Sequence, residues 1–108
     1  MPKTTLTLLP TTHKILSALG ENIHLARLRR RLSTIMLAER SGISRNTLRQ
    51  IEKGSANVKI GLYLNVLFCL GLHNDFKSVA TDDEFGHKLQ DIGLITKKRA
   101  PKVKKTNG

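Results

Sequence analysis

Apolar residues recur at helical spacing along most of the chain, most clearly between Leu32 and Gly54. In LSTIMLAERSGISRNTLRQIEKG, Ser33 is a favoured N-cap, and Thr34 to Ser41 places Leu37 and Ala38 where a crossing helix would meet them. Gly42 supplies the left-handed residue at which helices commonly end. Ile43 is expected as the buried plug of the turn. Ser44 caps again, and Arg45 to Lys53 forms a second helix with Leu48 and Ile51 on its inner face. Gly54 stops it. Two short helices that meet near a right angle need a small residue at their closest approach, which Ala38 provides.

The flanking pattern predicts an all-α protein. From Thr11 or Thr12 a helix is expected to about Arg30, carrying Ile15, Leu16, Leu19, Ile23 and Ala26 inward. Gly20 weakens its middle, so a leading turn followed by a separate helix stays open. The stretch Lys59 to Leu70 is apolar nearly all round. One core stripe needs Ile60, Tyr63, Leu64, Leu67 and Leu70, which leaves Leu62, Val66 and Phe68 in surplus. A short fifth helix is expected over Leu72 to Ala80, capped by Asn74, with Phe76 and Val79 turned inward. Asp82-Asp83-Glu84 then forms an acidic cap before Phe85 and Leu89, an i, i+4 pair continued by Ile92 and Leu94.

The expected layout is a compact five-helix domain over residues 11–80, with an N-terminal tail at 1–10 and a short helical extension at 81–96. Residues 97–108 form a basic, disordered tail that holds Lys97, Lys98, Arg99, Lys102, Lys104 and Lys105 and no acid. The alternation Thr5-Leu6-Thr7-Leu8 suits either a disordered end or an edge strand added to a partner chain.

Charge narrows the class of partner. Across 108 residues there are 19 Lys plus Arg against 8 Asp plus Glu, a formal charge of +11. Such an excess favours a polyanion, because neutralising phosphates releases counterions. A membrane surface is the rival polyanion, yet no apolar run approaches the roughly 20 residues of a membrane span, and no signal-peptide pattern opens the chain. The single cysteine, Cys69, permits no internal disulfide and fits a reducing compartment. It sits in an apolar helix and reads as packing. A cytoplasmic protein is expected.

Outward from Leu48 and Ile51 project Asn46, Gln50 and Lys53, with Arg49 beside them and Arg45 at the exposed first turn. These side chains suit the major groove. Arg can donate two hydrogen bonds to guanine O6 and N7, and Asn or Gln can pair with adenine N6 and N7. A plain solvated face has a similar composition, so the discriminating feature is the capped, Gly-punctuated helix pair around it. Arg45, Asn46, Arg49 and Gln50 are the candidate base readers. Thr47, Lys53, Asn57 and Lys59, at helix ends and in the adjoining loop, are candidate phosphate ligands.

The stretch closely resembles the Xre/Cro-type helix-turn-helix family, over roughly Leu19 to Leu72. The resemblance implies a lambda-repressor-like DNA-binding domain in which the first, second and sixth residues of the recognition helix touch bases, here Arg45, Asn46 and Gln50. The family's usual Gln at the start of the preceding helix, which braces phosphate, is Thr34 in this chain, and the resemblance makes Thr34 a candidate phosphate ligand. The resemblance also implies a buried scaffold ion pair between Arg27 and Glu52, which assigns Arg27 to the fold rather than to DNA. The family usually has polar residues at the positions of Ile35, Met36, Leu62 and Phe68. Apolar residues there point to a protein partner, or to a core extended by residues outside the family domain.

Catalysis finds no support in the sequence. His13, His24, His73 and His87 are scattered without metal-ligand spacing, Cys69 lacks a neighbouring His, and no glycine-rich phosphate loop occurs. No catalytic residue, metal or small-molecule cofactor is expected. The layout of domain plus extension resembles HipB-type antitoxins. That resemblance implies a homodimer that represses its own operon on double-stranded DNA and helps neutralise a HipA-like kinase toxin. Leu62, Phe68, Phe76 and Phe85 are the candidate dimer or partner contacts. The alternatives are a phage-type repressor without a toxin, and a basic module that docks acidic proteins.

Overall fold

A computed structural model describes residues 7–93, which are helical and contain no strand. Among the described residues six helices occur in order: α1 Pro10–Arg29, α2 Thr34–Ser41, α3 Arg45–Glu52, α4 Ile60–Leu70, α5 Asn74–Lys77 and α6 Glu84–Asp91. The chain divides into two compact units between Lys77 and Ser78, with α1 to α5 in the first and α6 in the second. Residues 1–6 and 94–108 lie outside the described residues. Thr5 and Leu6, the first half of the Thr5 to Leu8 alternation, therefore fall outside them. Leu94, Ile95 and the basic tail fall wholly outside.

α1 begins at Pro10, whose fixed φ and missing N–H cost nothing in a first turn. It runs through Gly20 as one helix, so no separate leading turn forms. Its end is set by Arg31, which takes φ 56°. Leu32 N donates to Arg27 O and Arg31 N donates to Leu28 O, the paired bonds that close a helix through a left-handed residue. Ser33 and Ser44 cap α2 and α3 by accepting from Met36 N at 3.1 Å and Thr47 N at 3.0 Å. Between these helices Gly42 has φ 73°, and the chain turns there by the expected left-handed route.

The core of the first unit joins four helices. Ile23 and Ala26 of α1, Leu37 and Ala38 of α2, and Leu48 and Ile51 of α3 are at most 2% exposed. α4 adds Tyr63, Val66, Leu67 and Leu70, also buried. Its inward stripe is rotated from the expected one. Val66 is buried, whereas Ile60 is 63% exposed in the first turn of the helix. Leu62 and Leu64 are half-buried and pack against the core from either side of that stripe.

Three further expectations are corrected. Ile15 is exposed, because the inward face of α1 passes through Leu16, Leu19, Gly20 and Ile23. Ile43 is half-buried rather than a sealed plug. The fifth helix is four residues long, and Val79 is exposed. It cannot extend, because Thr81 turns back onto Ser78 O through both its backbone N and its hydroxyl, and Ala80 is left-handed at φ 70°. In the second unit, Asp83 caps α6 by accepting from Gly86 N at 3.1 Å. Phe85 and Ile92 of that unit are exposed and Leu89 is half-buried.

Candidate nucleic-acid interface

α3 is an eight-residue helix with two unlike faces. Leu48 and Ile51 are fully buried. Arg45, Asn46, Arg49 and Lys53 are exposed, and Gln50 is half-buried. The polar residues therefore form one outward surface that the core beneath holds fixed. α2 lies against α3, and both are seated on their neighbours, α3 on α1 and α2 on α4.

The candidate phosphate ligands are less uniform. Lys53, Asn57 and Lys59 are exposed at the end of α3 and in the loop after it. Tyr63 steadies this loop: its hydroxyl donates to Ser55 O at 2.6 Å, and burial raises its pKa. Ser55 Oγ in turn accepts from Asn57 N at 3.0 Å. Thr34 is half-buried at the start of α2. Thr47 is half-buried and tied into its own helix cap, since its hydroxyl accepts from Ser44 Oγ at 3.0 Å.

The end of α3 is fastened to α1 by charge. Arg27 Nε donates to Glu52 Oε2 at 2.7 Å, and Nη2 donates to Oε1 at 3.2 Å. Nη1 donates to Leu32 O at 3.0 Å. One guanidinium thus links α1, the α1–α2 turn and the last residue of α3. Both side chains are about 9% exposed. Burial works to raise the pKa of Glu52, but hydrogen bonds and charge from Arg27 and His24 outweigh it and hold the carboxyl below its ordinary value.

Sequence reasoning missed His24. Its Nδ1 donates to Glu52 Oε1 at 2.7 Å, opposite Arg27. The available signal was its spacing: His24 precedes Arg27 by three residues and so shares its helix face. Among the candidate partner contacts, Phe68 and Phe85 are 64% and 71% exposed. Leu62 and Phe76 instead pack partly against the core of their own chain. The Sγ of Cys69 donates to Arg40 O at 3.4 Å and ties α4 to α2. Among the described residues no group of three or more His, Cys, Asp or Glu is placed to hold a metal.

Residues 23–63, from α1 to the start of α4, match a family model described as a helix-turn-helix. Domains of this class serve sequence-specific DNA binding in transcription regulators. No curated protein matches the chain. No helix among the described residues is long and apolar enough to cross a membrane.

Proposed function

We propose that the protein is a dimeric, sequence-specific DNA-binding repressor whose α3 enters the major groove. The observation that carries this reading is the rigid mounting of one polar face. Leu48 and Ile51 anchor α3 from below, the Arg27–Glu52 pair fixes its end, and Arg45, Asn46, Arg49 and Gln50 point away from the core. Arg45, Asn46, Arg49 and Gln50 would read base edges, while Lys53, Asn57 and Lys59 would hold phosphates. Thr34 and Thr47 are secondary phosphate ligands in this reading, since Thr47 must share its hydroxyl with a cap. A single eight-residue helix reads few base pairs, so two copies on half-sites about 34–36 Å apart supply the remaining specificity.

The finer reading is an antitoxin that represses its own operon and helps neutralise a HipA-like kinase toxin in the cytoplasm. Exposed apolar side chains on both units support it: Ile35, Met36 and Phe68 in the first, Phe85 and Ile92 in the second. The same surplus on a phage-type repressor would serve dimerisation alone. Selection of the full chain on random duplexes tests the core claim. An enriched motif with two-fold symmetry is expected, and no enrichment would replace the repressor with a basic module that docks acidic proteins.

A further inference from the structure

Beside α3 a pocket of about 250 Å³ opens between Glu21 and His24 of α1 and Arg49, Glu52 and Lys53 at the end of α3. Its position follows from the size of a helix. A helix about 10–12 Å across nearly fills a major groove about 12 Å wide, so its flanks face the phosphate backbones. Lys53, one turn beyond the base reader Arg49, marks one such flank, and the pocket lies against it.

His24 gives the pocket an unusual wall. Its Nδ1 points to Glu52 Oε1, and that carboxylate, held ionised by Arg27, can only accept. The hydrogen between them therefore belongs to Nδ1. In a neutral ring this makes Nε2 a bare acceptor, which repels a phosphate oxygen. A doubly protonated ring turns Nε2 into a donor. The side chain is 36% exposed and lines the pocket.

The charges facing His24 are nearly balanced. The Glu52 carboxylate and Arg27 Nη2, the latter 3.4 Å from Nδ1, face the ring with opposite charges. Glu21 lies across the pocket, and Arg49 and Lys53 close it. Arg27 and Arg49 offset the two carboxylates, and Lys53 leaves one positive charge in excess. Protonating His24 doubles that excess, and an arriving phosphate stabilises the protonated ring.

We propose that this pocket seats one phosphate of the DNA backbone and that His24 takes up a proton as the phosphate binds, which makes duplex affinity rise as pH falls. The inference rests on the DNA-binding reading above. It assigns His24, which is otherwise a brace for Glu52, a second role as a phosphate ligand.

The test compares the full-length wild type with His24→Asn, whose amide keeps a donor toward Glu52 but does not titrate. Duplex affinity is followed by fluorescence anisotropy at fixed ionic strength, from about pH 8 to about pH 5.5, on either side of the ordinary histidine range. The variant's own affinity should change little across this range. Toward pH 5.5 the wild type should gain roughly fivefold over the variant, and its salt dependence should steepen by about 0.9 in log–log slope, the signature of one more phosphate contact. Parallel pH curves would overturn the proposal. An NMR titration of the His24 imidazole in the wild type keeps the question open to refutation if the variant folds poorly: its titration must move to higher pH when DNA is added, and an unmoved titration overturns the proposal. Inorganic phosphate that binds the free wild type but not the variant, with no pH-dependent difference on DNA, would make the pocket a free-phosphate site instead. Absence of duplex binding at every pH would sink the DNA-binding reading itself.

Discussion

Gly20 and Gly54 meet where α1 crosses the end of α3. A Cβ on Gly20 would lie 2.5 Å from Gly54 N and 2.7 Å from the carbonyl oxygens of Ile51 and Glu52, while a Cβ on Gly54 would strike Leu16 O. All these neighbours are backbone and cannot swing aside. Gly54 also has φ 74°, which suits glycine. The missing side chains let α1 rest directly on the end of α3, within reach of the ion pair.

Gly20→Ala should therefore destabilise the domain by about 1–3 kcal/mol or more, despite the better helix propensity of Ala. Gly61→Ala is the matched control: its Cβ would meet nothing within 4 Å, and it should be neutral or gain up to about 1 kcal/mol. Urea unfolding of the two variants decides the point. Equal stability of both would mean that the crossing relaxes freely.

The Arg27–Glu52 pair predicts both a stability loss and its pH dependence. Arg27→Met or Glu52→Gln should each cost about 3–5 kcal/mol near neutral pH, because each strands a buried partner. Glu52 has a lower pKa folded than unfolded. Its contribution is thus fully present above the unfolded-state value and lost as pH falls through the folded-state value. The wild type should consequently lose its advantage over Glu52→Gln on acidification below about pH 4.5. An advantage that stays constant through the acid range would show that the charge on Glu52 is not what stabilises the fold.

Residues on the outer face of α3 should separate by role. Arg45→Ala and Gln50→Ala should relax base preference at particular operator positions, each by about 1–3 kcal/mol. Lys53→Ala and Lys59→Ala should weaken all sequences alike, and each should reduce the salt slope by about 0.9. Affinities on a panel of single-base operator variants, at two salt concentrations, distinguish the patterns. A uniform loss for Arg45→Ala would move that residue to the phosphate group.

Much of this architecture was legible because its signals are local. Ser33, Gly42 and Ser44 act within one turn of their own positions, and Leu48 and Ile51 follow from helical period alone. The misplaced residues depend on where separate helices meet. Val66 is buried and Ile60 exposed because α4 rotates to fit α2 and α1, which its almost uniformly apolar sequence does not specify. Gly20 reads as a weak point in isolation and becomes a contact only opposite Gly54. His24 escaped notice for the same reason, since its partner is 28 residues away.

Phe68 offers the sharpest test of self-association. It is 64% exposed, meets the His73 ring at a tilt of 54° with centroids 4.8 Å apart, and lines an apolar groove of about 460 Å³ with Leu64 and Phe76. Covering such a side chain in an interface contributes about 1.5–3 kcal/mol per copy, whereas an exposed residue contributes within about 0.5 kcal/mol to folding. Phe68→Ser should leave the melting temperature nearly unchanged. It should also shift the monomer–dimer midpoint at least about tenfold toward higher concentration, since two copies of the side chain are lost. On a two-fold operator the variant should lose the affinity that comes from joining two half-sites, while a single half-site is bound as well as by the wild type. Sedimentation across a concentration series, paired with binding to full and half operators, reads both effects. If the midpoint does not move, Phe68 lies outside the dimer interface and its exposed ring must serve another partner.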